Sequence, residues 1–331
     1  MYETAQQEAD VRAVQQHAYG PPVAVLELRT DAERPVPSDD EILVRVRASS
    51  VNSGDWRGVT ANPFLVRLFN GLSRPKSPLV GVDAAGVAEA VGGNVTGVRA
   101  GDEVYGMRNG SFAEYVSGRS FVAKPANLSF EAAAAVPAAA CTALQALRDQ
   151  GNLQPGERVL VNGAGGGVGT FTVQLARAFG ADVSATTTAD KLELVRSLGA
   201  AEVTDYTRAD FTTTGNSYDL IVDCGGRPSV AAFRRALAPG GRLVLVAAGK
   251  GRFGSLGRFI GGQLRRRLLR QRVIVFIASA PFDENLLTLK ELIEAGKVRP
   301  VIDRTYPLER TAEAVAYAAT EKVAGKVVIT I

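Results

Sequence analysis

The chain has 331 residues, a formal net charge of +4 and 46% hydrophobic residues. This length exceeds the usual size of a single core, so we expect two domains, and the apolar content excludes an intrinsically disordered protein. The small net charge argues against nucleic acid as the main partner. Residues 1–10 lack the basic and apolar pattern of a leader, and residues 132–147 are too weakly apolar to span a bilayer. We therefore expect a cytoplasmic protein.

The first 130 residues contain short strand-like segments that proline and glycine turns separate. This pattern predicts a β-rich lobe. A similar segment returns at residues 325–331, and we expect it to rejoin that lobe. The strand-like segments of the first lobe are 24–28, 41–47, 86–91 and 102–106.

Five glycines within residues 162–169 are the most informative feature of the chain. A strand-like segment, 157–161, precedes them, and a helix with one apolar face follows. In this context the backbone N–H groups and the helix dipole bind a pyrophosphate. The sequence therefore predicts a dinucleotide site, although the loop could instead only turn the chain. The cofactor-binding backbone would be that of Ala164, Gly166, Gly167, Val168 and Gly169.

Strand-like and helix-like segments continue to alternate after the glycine loop. We predict strands at 183–186, 219–223 and 242–247, with helices at about 190–198 and 229–237. Asp190 could cap the first of these helices. Apolar strands separated by helices indicate a parallel sheet covered on both faces, which is a doubly wound α/β domain.

The chain resembles the medium-chain dehydrogenase/reductases, and within them the quinone oxidoreductase and enone reductase branch. The resemblance runs nearly end to end. It implies a GroES-like catalytic domain at 1–135 that 279–331 rejoins, a Rossmann NADP-binding domain at 136–278, and hydride transfer from a nicotinamide. Besides the glycine loop, it rests on 19–22 (YGPP), 50–56 (SVNSGDW), 81–87 (GVDAAGV), 101–106 (GDEVYG), 110–116 (GSFAEYV) and 325–329 (GKVVI).

The chain departs from the zinc alcohol dehydrogenases of this family. Where those enzymes carry Cys, His and Cys on the catalytic zinc, this chain has Asn52, Val82 and Ala138. Two cysteines are too few for the family's structural zinc, which needs four, and neither they nor the single histidine lie at the three catalytic positions. We expect no metal, and we expect Cys141 and Cys224 to be reduced and inert.

The cofactor can be predicted from the strand that follows the glycine loop. NAD enzymes of this fold carry Asp or Glu about 20 residues past the glycines, and this chain has Thr186 and Thr187 there. Hydroxyls and the nearby Lys191 suit a 2′-phosphate, which predicts NADPH. By resemblance, Tyr206 is a further phosphate contact. The resemblance also implies cofactor contacts at Thr142, Gly225, Ala247, Ala248 and Ile277.

Without a metal, reduction of an electron-poor acceptor is favoured over oxidation of a simple alcohol. We expect a quinone or an α,β-unsaturated carbonyl as the small-molecule acceptor. Asn52 is the first candidate for a polar group at the nicotinamide or the acceptor oxygen, and the alternative is a turn amide. The proton could come from Tyr105, Tyr115 or water. An apolar acceptor pocket could be lined by Trp56, Phe64 and Phe69, which could equally be core aromatics.

Residues 250–272 combine seven arginines with apolar residues in an amphipathic pattern. This segment could be a surface helix or dimer contact, or 252–272 could touch a membrane peripherally. Nucleic-acid binding is the least favoured interpretation. By resemblance, the strand 273–278 pairs with its mate in a homodimer. Two other functions stay open: an NADP-dependent alcohol dehydrogenase, and a nucleotide-binding protein with an RNA or membrane role and vestigial catalysis.

Overall fold

The structure is a computed structural model. It describes residues 10–64, 66–213, 215, 217–226, 228–246, 271–276, 278–320 and 322–331, without the side chain of Phe69. The strands in chain order are β1 Val11–Gln16, β2 Leu26–Ala32, β3 Ile42–Val51, β4 Asp83–Val91, β5 Glu103–Met107, β6 Tyr115–Gly118, β7 Ser120–Ala123, β8 Arg158–Asn162, β9 Asp182–Thr187, β10 Glu202–Asp205, β11 Tyr218–Asp223, β12 Leu237–Leu245, β13 Arg272–Val275, β14 Ile302–Pro307 and β15 Lys326–Thr330.

Helices connect these strands. The α-helices are α1 Pro22–Val25, α2 Ser53–Thr60, α3 Val66–Asn70, α4 Phe130–Ala134, α5 Pro137–Gln145, α6 Gly167–Ala178, α7 Leu192–Ser197, α8 Val230–Ala236, α9 Asp283–Glu294 and α10 Thr311–Ala319. A π-helical turn follows α5 at Ala146–Gln150, and single 3₁₀ turns lie at Ala189–Lys191, Phe211–Thr213 and Leu308–Arg310. Across the part of the chain described, no helix combines the length and apolarity that crossing a bilayer requires.

One large sheet is parallel throughout. Its six strands run in the order β10-β9-β8-β11-β12-β13, and every neighbouring pair is parallel. Alternate residues of β8 enter different cores, with Val159 and Val161 in one buried cluster and Leu160 in another. Helix α6 packs on the first cluster through Phe171 and Leu175. Both faces of the sheet are covered, which confirms the doubly wound α/β fold.

The other large sheet is mostly antiparallel. Its order is β14-β15-β3-β4-β5-β7, and β6 also pairs with β3. The last strand, β15, lies between β14 and β3, with Val327 opposite Val51. A separate antiparallel pair is formed by β1 and β2. The C-terminal strand thus shares a sheet with the first part of the chain, while the domain boundaries at 135/136 and 278/279 stay predictions.

Local structure differs from the sequence pattern in two places. Residues 24 and 25 end the helical turn α1, which begins at Pro22, so the strand predicted at 24–28 begins only at Leu26. Strand β12 begins at Leu237 rather than at 242, because the turn-like residues 238–241 form an irregularity inside the strand. Proline and glycine mark a break in regular pairing in this strand, but they do not end it.

Candidate active site

The glycine loop lies between β8 and α6, where the strand order reverses. Strand β8 has β9 on one side and β11 on the other, and ligands of such sheets bind beyond the carboxyl ends of these strands. Gly163 turns the chain with a φ of +81°, and α6 begins after Gly166 as its N-cap. The first N–H groups of a helix have no acceptor within it. Those of Gly167, Val168 and Gly169 are therefore placed to bind an anion.

Close backbone contacts explain two of the glycines, and open space explains a third. A Cβ added at Gly169 would lie 2.3 Å from Gly163 O and 2.7 Å from Ala164 Cα, and one at Gly163 would lie 2.7 Å from Gly225 Cα. A Cβ at Gly166 would meet only Gly163 O, at 3.7 Å. The loop is tight where helix meets strand and open at Gly166, so it fits the pyrophosphate of a dinucleotide.

The end of β9 carries residues predicted to contact a 2′-phosphate. Thr186 is buried, and its hydroxyl donates to Asn162 Oδ1 at 2.6 Å. Thr187 lies beside the loop, since its Oγ1 would be 2.6 Å from a Cβ on Gly165. The backbone N–H of Tyr206 donates to Thr187 O at 3.1 Å. Thr187 therefore adjoins the glycine loop and Tyr206 adjoins Thr187, whereas the Thr186 hydroxyl is committed to Asn162.

Lys191 is buried against the same loop. Its Cδ would be 2.7 Å from a Cβ on Gly165, and its Nζ donates to Val323 O at 2.8 Å. Burial lowers the pKa of Lys191. An ammonium has three donors, and the hydrogen bond that the structure describes uses one of them. Asp190 was expected to cap a helix here, but neither the 3₁₀ turn nor α7 has a side-chain cap, so that prediction is wrong.

The other predicted cofactor contacts are spread along the chain. The Thr142 hydroxyl donates to Ala138 O at 2.6 Å within α5. Gly225 follows β11 and donates its N–H to Asp223 Oδ1 at 3.1 Å, on the far side of the loop from β9. Outside the described residues lie Ala247, Ala248 and Ile277.

A buried carboxylate, that of Asp83, connects four elements. Its Oδ2 accepts from Ser50 Oγ at 2.8 Å and from Asn52 Nδ2 at 2.9 Å. The same oxygen contacts Lys326 Nζ at 3.1 Å, and Oδ1 accepts from the Ala138 N–H at 2.8 Å. Lys326 Nζ also donates to Asn52 Oδ1 at 2.5 Å. We call these five residues the Asp83 cluster; it joins β3, the start of α2, the start of α5 and β15.

A cavity of about 450 Å³ adjoins the start of α2. Its walls include Gly54, Asp55 and Val82. The backbone N–H of Asn52 donates to Asp55 Oδ2 at 2.6 Å. Burial raises the pKa of Asp55 to about 7; the Asn52 N–H opposes this shift, and the Asp83 charge adds to it. The cavity has the volume of a small-molecule pocket, and one wall carries a carboxyl group that titrates near neutral pH.

Two of the aromatic residues predicted for an acceptor pocket, Trp56 and Phe64, do not line this cavity. Trp56 packs beside the buried cluster that includes Val59, and Phe64 is 51% exposed. The side chain of Phe69 lies outside the description. Their role as pocket residues stays a prediction, and the further walls of the cavity are instead Gln16, Tyr19, Gly58, Val59, Asn70, Pro75, Lys76, Ser77, Leu79, Val80, Gly81 and Asn109.

Two tyrosines carry hydroxyls that could donate a proton, and two cysteines carry thiols that could act as nucleophiles. Tyr105 is fully buried, its hydroxyl donates to Leu286 O at 2.6 Å, and burial raises its pKa. Tyr115 lies under the Arg34 guanidinium at 4.4 Å. Cys141 and Cys224 are not in a disulfide, and burial raises the pKa of both, that of Cys224 to about 12. Thiols protonated in this way are poor nucleophiles, and Tyr105 is committed to the core.

The three positions of the family's zinc ligands hold no metal-binding side chains. Asn52 and Ala138 both bind the Asp83 carboxylate, and Val82 is apolar. In the residues that the structure describes, no group of three or more His, Cys, Asp and Glu side chains could hold a metal ion. One of these positions thus carries an amide, which the Lys326 ammonium contacts.

Comparison with known proteins defines the class. Residues 38–146 match the alcohol dehydrogenase GroES-like domain, and residues 198–329 match the zinc-binding dehydrogenase family. The 2-methylene-furan-3-one reductase of Solanum lycopersicum is 33% identical over 93% of this chain and 76% of its own length. The chain belongs to the medium-chain dehydrogenase/reductase superfamily, in its quinone oxidoreductase branch.

Solved structures agree with this assignment. The quinone oxidoreductase from Coxiella burnetii superposes with a TM-score of 0.82 at 28% identity, over 97% of this chain and 99% of its own. A structure described as an NAD-dependent alcohol dehydrogenase gives a TM-score of 0.80 at 32% identity, again over 97% and 99%. The resemblance stated from the sequence is confirmed at the level of family and fold.

Three residues of the site have no role in the sequence analysis. Asp83 and Lys326 lie inside segments that carry the resemblance, but they are 243 positions apart, and nothing in the sequence indicates that they meet. Asp55 lies inside the segment 50–56, which also carries the resemblance. Its place three residues after Asn52 is a sequence signal, because a carboxylate there often accepts the N-cap N–H.

Proposed function

We propose that this protein is a zinc-independent, NADPH-dependent reductase that transfers hydride to quinones or α,β-unsaturated carbonyls. The Asp83 cluster is the observation that carries the proposal. The backbone N–H of Asn52 in this cluster donates to Asp55, and Asp83 follows Val82 in the chain; Asp55 and Val82 both line a cavity of small-molecule size. The cluster thus presents an amide and an ammonium, rather than metal ligands, next to the residues of that wall. Donors of this kind stabilise charge that develops on a carbonyl oxygen during reduction.

The glycine loop supports a dinucleotide as the cofactor. The N–H groups of Gly167 and Val168 would bind the pyrophosphate, and the bound nicotinamide supplies the hydride. Three residues beside the loop favour a 2′-phosphate: Thr187, Lys191 and Tyr206. Strand β9 ends in threonines instead of the carboxylate that would repel that phosphate, which favours NADPH over NADH.

The residues around the cavity support acceptor reduction. Asn52 would donate to the carbonyl oxygen of the acceptor, where negative charge develops as hydride arrives at the β-carbon or the quinone ring. The product anion then needs one proton. Asp55 lines the cavity, and burial raises its pKa to about 7, so this carboxyl group can hold a proton near neutral pH. Asp55 thus joins water as a candidate proton source.

An alcohol dehydrogenase is the second candidate, because a structure described as one is 32% identical to this chain. Oxidation of a simple alcohol requires removal of the hydroxyl proton, which a zinc ion assists by stabilising the alkoxide. Asn52, Val82 and Ala138 offer no ligand set for such an ion. We therefore place this function second.

Other features of the protein stay predictions from the sequence. These are a cytoplasmic location, a homodimer through the strand at 273–278, and peripheral membrane contact through 252–272. Residues 252–270 lie outside the described residues, as does Ile277. The strand that precedes Ile277, β13, lies at one edge of the six-stranded sheet, so it is placed to pair with a second copy.

NADPH oxidation by chelator-treated protein tests the proposed function. We expect turnover with an ortho-quinone or a simple enone, and slower turnover with NADH. Asn52→Ser keeps an N-cap residue but shortens the polar group, and we expect it to lower kcat/KM by about 100-fold. Asn94→Ala is the matched control, because Asn94 is exposed and its side-chain amide donates to the exposed Asp40. Turnover with alcohols alone would refute the proposal.

A further inference from the structure

The amide of Asn52 is held in one of its two possible orientations. Its Oδ1 accepts from Lys326 Nζ, and its Nδ2 donates to Asp83 Oδ2. Rotation of the amide by 180° would place Nδ2 against the ammonium and Oδ1 against the carboxylate, which creates two repulsive contacts. Both charged partners are almost completely buried, with 3% of the Lys326 side chain and none of the Asp83 side chain exposed. Water therefore screens these contacts little.

The geometry leaves one N–H of Asn52 for a ligand. Lys326 Nζ contacts both Asn52 Oδ1 and Asp83 Oδ2, so the three groups close a ring. This ring uses the N–H on the same side of the amide as Oδ1. The second N–H points away from the ring, and among the described residues the structure shows no partner for it.

Lys326 also touches the glycine loop. The neighbouring Gly325 donates its N–H to Gly165 O at 3.0 Å. The Cδ of Lys326 would lie 3.1 Å from a Cβ on Gly167, the first residue of α6. One side chain thus runs from the predicted pyrophosphate site to the amide that would meet the acceptor. A shift of Lys326 would therefore change the contacts at Gly167 and at the Asn52 amide together.

We propose that Lys326 is a positioning residue for hydride transfer, which fixes the Asn52 amide so that its free N–H meets the acceptor oxygen. This inference rests on the proposed function. The competing explanation is that Lys326 only neutralises the buried Asp83 carboxylate. The two explanations differ in what happens when both charges are removed together.

Kinetics of three variants, compared with the wild type, separate these explanations. We expect Lys326→Met to lower kcat by about 10- to 100-fold, because a misplaced group costs rate rather than cofactor affinity, and to change the Kd for NADPH less than about two-fold. Asp83→Asn and the double variant Lys326→Met/Asp83→Asn complete the cycle. The double variant should recover stability, since no unpaired buried ion remains, but it should not recover kcat.

A matched control shows whether loss of any buried lysine has this effect. Lys124 is also buried and pairs with Glu103 at 3.1 Å. It donates to backbone carbonyls of Pro125 and Leu128. We expect Lys124→Met to lower stability and to leave kcat unchanged. Recovery of kcat in the Lys326→Met/Asp83→Asn double variant would overturn the proposal, because charge neutralisation would then be the whole role of Lys326.

A second measurement does not depend on turnover. In apoprotein labelled with ¹⁵N-asparagine, the Asn52 side-chain N–H pair is assigned by its disappearance in Asn52→Ser. We expect two well separated proton signals, one of them protected from exchange by Asp83, and we expect Lys326→Met to bring them together. Should Lys326→Met not fold, the double variant carries this test. If the enzyme is active and the Asn52 signals are the same in Lys326→Met as in the wild type, the positioning role of Lys326 is overturned. If the Asn52 amide is fixed by Lys326 but the protein turns over no acceptor, only the proposed function is refuted.

Discussion

Two glycines of the same loop should respond differently to the same added methyl group. In Gly169→Ala the new Cβ would lie 2.3 Å from Gly163 O and 2.7 Å from Ala164 Cα. Both neighbours are backbone, so the helix must move by about 1 Å to restore an ordinary contact. Overpacking of this kind costs about 1–3 kcal/mol, against about 1 kcal/mol that Ala contributes in a helix. With about 2 kcal/mol for the overpacking, we expect the free energy of unfolding to fall by about 1 kcal/mol.

Gly166→Ala should leave the fold intact and weaken binding of the cofactor. The new Cβ meets only Gly163 O, at 3.7 Å, and replacement of Gly by Ala at an N-cap costs less than about 1 kcal/mol. The methyl group occupies the open side of the loop, where a phosphate would approach. Loss of one charge-assisted hydrogen bond, worth about 1.5–3 kcal/mol, weakens binding by at least about ten-fold.

Urea unfolding and fluorescence titration with NADPH measure these two effects separately. Gly93→Ala is the control, because a Cβ at Gly93 would meet nothing within 4 Å. Wild-type cofactor affinity in Gly166→Ala would refute the assignment of the phosphate site. Wild-type stability in Gly169→Ala would refute the close helix-to-strand contact on which the assignment of this loop depends.

Three further predictions concern the preference for NADPH, the ionisation of Asp55 and the dependence on metal. Lys191→Ala should lower the preference for NADPH over NADH by about ten-fold, measured as a ratio of kcat/KM values, and an unchanged ratio would contradict the phosphate role. The pKa of Asp55 in the folded protein is about 7, above its ordinary value of 3.8. The contribution of protonated Asp55 to the free energy of unfolding is therefore complete below about pH 4, and it is lost as the pH rises to 7. Between about pH 4 and 7 the free energy of unfolding should therefore decline by up to about 4 kcal/mol less in Asp55→Asn than in the wild type. An equal decline in both proteins would contradict the raised pKa of Asp55. Treatment with a chelator should leave acceptor reduction unchanged, whereas activity restored only by added zinc would contradict a zinc-independent site.

The sequence determined the parallel sheet and its ligand loop, because both depend on local pattern. Apolar strands alternate with helices after the loop, and the glycines follow the first of these strands at residues 163–169. Backbone sterics require glycine at Gly169 whatever the rest of the chain does, since helix and strand meet there directly. Residue types also predicted that the positions of Asn52, Val82 and Ala138 offer no ligand set for zinc.

Tertiary structure alone decided the acceptor side of the site. Asp83 and Lys326 meet only because β15 returns to pair with β3, which in turn pairs with β4. The same folding encloses Asp55, so its pKa reflects burial that no spacing along the chain reveals. Burial and long-range contact are properties of the packed molecule, whereas turns and periodicity are properties of a short stretch of chain. The nucleotide loop could therefore be predicted from the sequence, and the cluster around Asp83 could not.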